Sequence, residues 1–140
     1  MFAPPRSAAA SYRSLDVETT VHSADPHRLV EMLYDGAITS VGKARFALAR
    51  QDPAAKGEAT TRAIRIIDEG LKAALDTNAG EVAANLGALY DYMTRTLVHA
   101  NMSNSDGRFK EVETLLGELR AAWREIGPKV RKAAVAGRAS

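Results

Sequence analysis

The sequence predicts an all-α protein, an antiparallel up-and-down four-helix bundle preceded by an N-terminal arm. Three observations predict it. Apolar residues in every amphipathic segment recur at steps of three or four, and none alternates convincingly in the two-residue period of a strand. Two Asp-Pro pairs stand where helices should begin. The 140 residues suit one domain, and a composition 46% hydrophobic and 26% charged is that of an ordinary soluble globular protein. Aromatic residues make up only 6%, so the helices should pack through small and aliphatic side chains.

The first helix, expected over 26–50, opens at Asp25-Pro26. The Asp25 carboxylate is an N-cap acceptor, and a proline in the first turn has no N–H to leave unsatisfied. Its apolar stripe is Val30, Leu33, Ala37, Val41, Ala44 and Leu48. Asp52-Pro53 repeats the signal for a second helix over 53–76, with Thr60, Ile64, Ile67, Leu71 and Leu75 on one face. Asn78, with Glu81 three residues on, resembles a capping box for a third helix over 79–101. That helix carries Val82, Leu86, Leu89, Met93, Thr96 and Ala100. The polar run from Asn101 to Asp106 turns the chain into a fourth helix over 106–126, whose seam is Phe109, Val112, Leu116, Leu119, Trp123 and Ile126. Gly127-Pro128 is the expected stop. Four such helices joined by short turns pack most simply as an up-down-up-down bundle, with 25–126 as its domain.

Residues 1–24 stand apart. Pro4, Pro5 and Ala8-Ala9-Ala10 make a low-complexity start, and Tyr12, Leu15, Val17 and Val21 follow as a short helix or an extended, partly flexible arm. Residues 127–140 read as a flexible basic tail. Without Lys129, Arg131, Lys132 and Arg138 the net charge falls from +2 to −2, so the basic balance belongs to the tail and not to the body. The chain has no signal-peptide layout and no apolar run of the ~18 residues a bilayer span requires. With no cysteine it suits a reducing compartment, and the expected location is the cytoplasm without membrane insertion.

The chemistry of catalysis is missing. A di-iron bundle needs Glu-x-x-His on two helices, and no glutamate here has a histidine three residues later. His22 and His27 fall in or beside the polar loop before the first helix, where a solvated side chain is expected. No Gly-rich phosphate loop and no Gly-x-Ser-x-Gly nucleophile motif occurs. The expectation is a protein that is not an enzyme and holds no metal or cofactor. A nucleic-acid-associated protein using the basic tail is the alternative, and it would show steeply salt-dependent binding.

A binding signal lies in the residues beside the core stripes. On the second helix Ala59, Ala63, Ile66, Gly70 and Ala73 form a second strip, about 100° around from the first. On the third, Ala83, Gly87 and Tyr90 flank the stripe, with Leu97 at its edge. Mid-helix glycine costs about 1 kcal/mol relative to alanine, so Gly70 and Gly87 invite a reason such as close approach of another chain. Wide apolar faces also pack against neighbouring helices. On the groove reading, Ile66→Asp is expected to spare the fold and weaken partner binding.

Asp25-Pro26, followed by the stretch Leu29-Val30-Glu31-Met32-Leu33-Tyr34-Asp35-Gly36-Ala37-Ile38, resembles the opening of the flagellar secretion chaperone family, FliS. Asn85-Leu86-Gly87-Ala88-Leu89-Tyr90-Asp91-Tyr92-Met93 and then Glu111-Val112, Leu115-Leu116, Leu119-Arg120 and Ala122-Trp123 continue the resemblance in order, over about residues 12–126. It implies a bundle that binds the disordered C-terminal segment of flagellin, which becomes partly helical as it wraps the chaperone. This prevents premature polymerisation and keeps the subunit export-competent. Tyr12 and Leu15 of the arm, with Ala63, Ile66, Gly70, Ala73, Gly87, Tyr90 and Leu97, are the candidate partner-binding residues. Components of the flagellar export apparatus are further candidate partners, a homodimer through the empty groove is a further candidate state, and another secreted client is an alternative to flagellin. His27 and Arg28 depart from the acidic residues common in the family after the helix-opening proline.

Overall fold

Two Asp-Pro pairs set the first half of the fold. In the computed structural model, which describes residues 25–75 and 80–139 with side chains as far as Ile126, Asp25 caps α1, Pro26–Ala49, by accepting the Arg28 N–H at 2.9 Å. Asp52 caps α2, Pro53–Arg65, by accepting the Ala55 N–H at 3.1 Å. α2 runs on as a π-helical segment, Ile66–Lys72. α3 is Glu81–Ser103 and α4 is Asp106–Ala139. Between α3 and α4, Asn104 takes the left-handed conformation (φ 52°) that closes a helix and that asparagine tolerates.

Consecutive helices are neighbours, and the ring closes where α4 packs on α1. The antiparallel sense is written in contacts at the helix ends. Arg45 near the end of α1 bonds Asp106 at the start of α4 (2.8 Å) and Glu113 two turns on (2.6 Å). The Trp123 indole N–H, late in α4, donates to the His27 carbonyl at the start of α1, at 2.8 Å. Lys56, early in α2, donates its ammonium to the Asn101 carbonyl at 2.9 Å and to the Asn104 side chain. That places a cation on the negative end of α3, which explains how Lys56 stands with only 7% of its surface exposed.

Inside the ring Val41, Ile67, Leu71, Met93, Phe109, Val112 and Leu116 are fully buried, with Ala37, Ala44 and Ala100 between them. Burial of each large side chain contributes about 1.5–3 kcal/mol. The alanines let the helices approach closely, as the aliphatic composition predicts.

The structure corrects the sequence reading at four places. His27 is not solvated: it is buried, its ring stacked on Trp123 with centroids 4.5 Å apart and planes 9° from parallel. Asn78 lies outside the described residues. α3 begins instead with Gly80 as its N-cap, at a φ of +72° that suits glycine, and no side chain caps it. The later start leaves Val82 in the first turn, 67% exposed, and Ala83 takes the buried position. The fourth helix does not end at Gly127-Pro128 but continues to Ala139. A proline removes one rung of the ladder, and most of the residues beyond it, alanine, lysine and arginine, are strong helix formers with which the helix resumes.

Candidate partner-binding surface

Most of the expected binding residues turn inward. Tyr12 and Leu15 lie outside the described residues. Ala63, Ile66, Tyr90 and Leu97 belong to the core, Ile66 with 1% of its surface exposed. Gly70 is buried because Leu33 of α1 lies over it: a Cβ there would stand 2.9 Å from a Leu33 methyl. The close approach inferred from this glycine is made by a helix of the same chain. Gly87 is half-buried, and a Cβ on it would meet the Leu75 side chain at 3.6 Å, an ordinary contact. Only Ala73 is fully on the outside. The two strips on the second helix are thus one wide face packed against neighbouring helices.

The free apolar surface is the outer side of α3. Four of the six exposed large apolar residues among those described are on this helix: Tyr92, Val98 and Met102 on its outer side, Met102 76% exposed, and Val82 in its first turn on the side of the core stripe. Ala84, Ala88, Tyr92, Arg95, Val98 and Met102 are all exposed and recur at steps of three or four, a belt about 27 Å long at 1.5 Å per residue. The contrast with the other helices decides the matter. The outer side of α2 presents Glu58, Arg62, Arg65, Asp68, Glu69 and Lys72, and that of α4 presents Arg108, Lys110, Glu111, Glu118 and Arg124. Those are solvated faces, whereas α3 carries one exposed arginine, Arg95, along its belt, with Asn85, Asp91 and His99 as the polar residues beside it. Tyr92 sits at the belt's edge with its hydroxyl donating to Glu111 at 2.5 Å, so the carboxylate raises the phenol's pKa. The signal for this face was in the sequence, as apolar residues left over once the core stripe of the third helix was drawn.

Residues 8–130 match a family model described as "Flagellar protein FliS". The Flagellar secretion chaperone FliS of Salmonella typhimurium is 49% identical over 124 residues, an alignment covering 88% of this chain and 92% of that protein. Flagellar secretion chaperone FliSB of Pseudomonas aeruginosa is 40% identical over 117 residues (83% and 92%), and FliS of Bacillus subtilis is 37% identical over 115 (82% and 85%). The chain belongs to the FliS family.

The stretches that carry the FliS resemblance do structural work at the centre of the bundle. Leu33-Tyr34-Asp35 on α1 and Leu89-Tyr90-Asp91 on α3 are used alike. The two tyrosines point inward from opposite corners and share a hydroxyl–hydroxyl bond of 2.6 Å, buried among aliphatic side chains. Burial pushes both phenols above their usual pKa, so they stay neutral. The two aspartates point outward, Asp35 to Arg120 of α4 and Asp91 to Lys72 of the π-helical segment at 2.7 Å. No group of three or more metal-ligating side chains occurs among the described residues, and no described helix is long and apolar enough to cross a membrane.

Proposed function

We propose that this chain is an export chaperone that binds the C-terminal segment of flagellin in the cytoplasm and holds it unpolymerised until export. Family membership supports the chaperone role, since the relatives compared above are named flagellar secretion chaperones. The observation that carries the binding mode is the exposed, largely apolar belt on α3, from Ala84 to Met102. A disordered segment that becomes an amphipathic helix can lay its apolar side along such a belt, trading ordering entropy for burial. Buried Tyr90 and Leu97 then act by fixing the shape of α3, and Gly87 lies on the same helix beside the belt. An empty belt is also the surface through which two free copies would pair. The chain performs no bond chemistry in this reading.

Calorimetric titration with the C-terminal 40 or so residues of the cognate flagellin tests it. One-to-one binding with a clearly negative heat-capacity change is expected. Val98→Glu and Met102→Glu, both exposed, should each weaken binding at least tenfold while leaving the melting temperature within a few degrees of the parent. Absence of heat at several temperatures together with absence of co-elution would remove flagellin as the client.

A further inference from the structure

A second recess lies on another side of the molecule, between α1 and α2, with a volume of about 910 Å³. Its floor is recessed because Ala47 and Ala59 are small, and its wall is Phe46, which stands 63% exposed. Phe46 is also the ridge between this cleft and a smaller one of about 350 Å³ on the side of Asp106. An exposed phenylalanine alone needs no explanation. This one is held in place: the Arg50 guanidinium lies over its ring, 5.3 Å from the centroid.

The charges around the cleft are unequal. Lys43, Arg50, Arg62 and Arg65 line it against Asp52 and Glu58. Asp52 is engaged as the α2 cap, and Arg65 is paired with Glu69 at 3.4 Å. Among the described residues the Lys43 side chain shows no hydrogen bond or ion pair, and the Arg50 guanidinium has the Phe46 ring as its one such partner. Arg45, on the same helix but outside this cleft, is by contrast bound to two carboxylates. The cation–π contact leaves the N–H groups of the Arg50 guanidinium for a carboxylate, which such a group can grip with two parallel bonds.

We infer that the cleft between α1 and α2 is a docking site for an acidic protein segment, one that sets a large apolar side chain against Phe46 and carboxylates on Lys43 and Arg50. A nucleic acid fits less well, since Glu58 in the lining opposes a phosphate backbone and Phe46 is the only aromatic residue there for bases to stack on. Among the described residues of α3 only Asn101 lines the cleft, and no residue of the apolar belt does.

Fluorescence anisotropy of the full chain with a fluorescein-labelled 16-residue peptide of glutamate and leucine in helical spacing tests the inference. Parallel titrations use the same peptide with lysine for glutamate and a single-stranded RNA of matching charge. The glutamate peptide should bind, and Phe46→Ala and the double variant Lys43→Glu/Arg50→Glu should each weaken it at least tenfold with unchanged melting temperature. Val98→Glu should leave it unchanged, while Phe46→Ala leaves the flagellin segment's affinity unchanged. No binding of the glutamate peptide, equal binding of the lysine peptide, or indifference to Phe46→Ala would overturn the inference. Tighter binding of the RNA would reassign the cleft to nucleic acid. Loss of flagellin binding in Phe46→Ala would make the cleft part of the client surface and end its separate assignment.

Discussion

The shared hydroxyl bond of Tyr34 and Tyr90 shows what a single polar contact does in an apolar interior. Each phenol is satisfied only by the other, across the full width of the bundle. Tyr34→Phe or Tyr90→Phe therefore strands one buried hydroxyl and should cost about 1–3 kcal/mol, read from urea unfolding. Removing both together replaces a satisfied pair by two apolar rings and should cost less than the sum of the single changes. A cycle that came out additive would mean that the hydroxyls do not depend on each other. Trp123 and His27 make a partnership of another kind at the α1–α4 end, by ring stacking and by the indole N–H on the His27 carbonyl. Neither partnership was legible in the sequence: the Leu-Tyr-Asp echo was visible, but periodicity places a residue on a face and does not say which residue lies opposite it.

At the scale of one element, α2 explains why residues of the expected groove lie in the core. At 100° per residue Ile66, Ile67, Gly70 and Leu71 fan over about 140°, which suggested a core stripe and a separate flank. The π-helical segment widens the turn, so these four residues, all buried, sit closer to one side. Ile66→Asp should then unfold the protein, because it places an unpaired carboxylate in the core, and its urea midpoint should collapse. Leu97→Ala should cost about 2–5 kcal/mol, and more than the same change at half-buried Leu86. The helix starts at Asp25 and Asp52 were legible because capping is a local interaction. A π turn leaves no composition signal, and the path beyond Pro128 depends on how strongly the following residues favour helix.

For the molecule as a whole, the sequence made the ring of four antiparallel helices legible, because each stripe could be closed only by its chain neighbours and by a last helix returning to the first. The polar seam that fastens that return was not legible, since it joins residues about 60 to 90 positions apart. Along it Arg45 bonds Asp106 and Glu113, while Glu31 takes Arg124 and Arg28. The Arg124 hydrogen bond holds Glu31, and the Arg45 hydrogen bond holds Asp106, below the usual carboxylate range. A carboxylate whose pKa is lower folded than unfolded adds stability above its ordinary value near 4, and that stability is lost as pH falls through the lowered value. The melting temperature should therefore be flat from pH 8 to about 5 and drop as both groups take up protons below it. Arg45→Gln should lower it by a few degrees at pH 7, because these partly exposed pairs are each worth roughly 0.2–1 kcal/mol. The variant should then lose less on acidification, so that the two melting curves converge toward pH 2.5. Parallel curves across the whole range would show that Arg45 contributes packing and not charge.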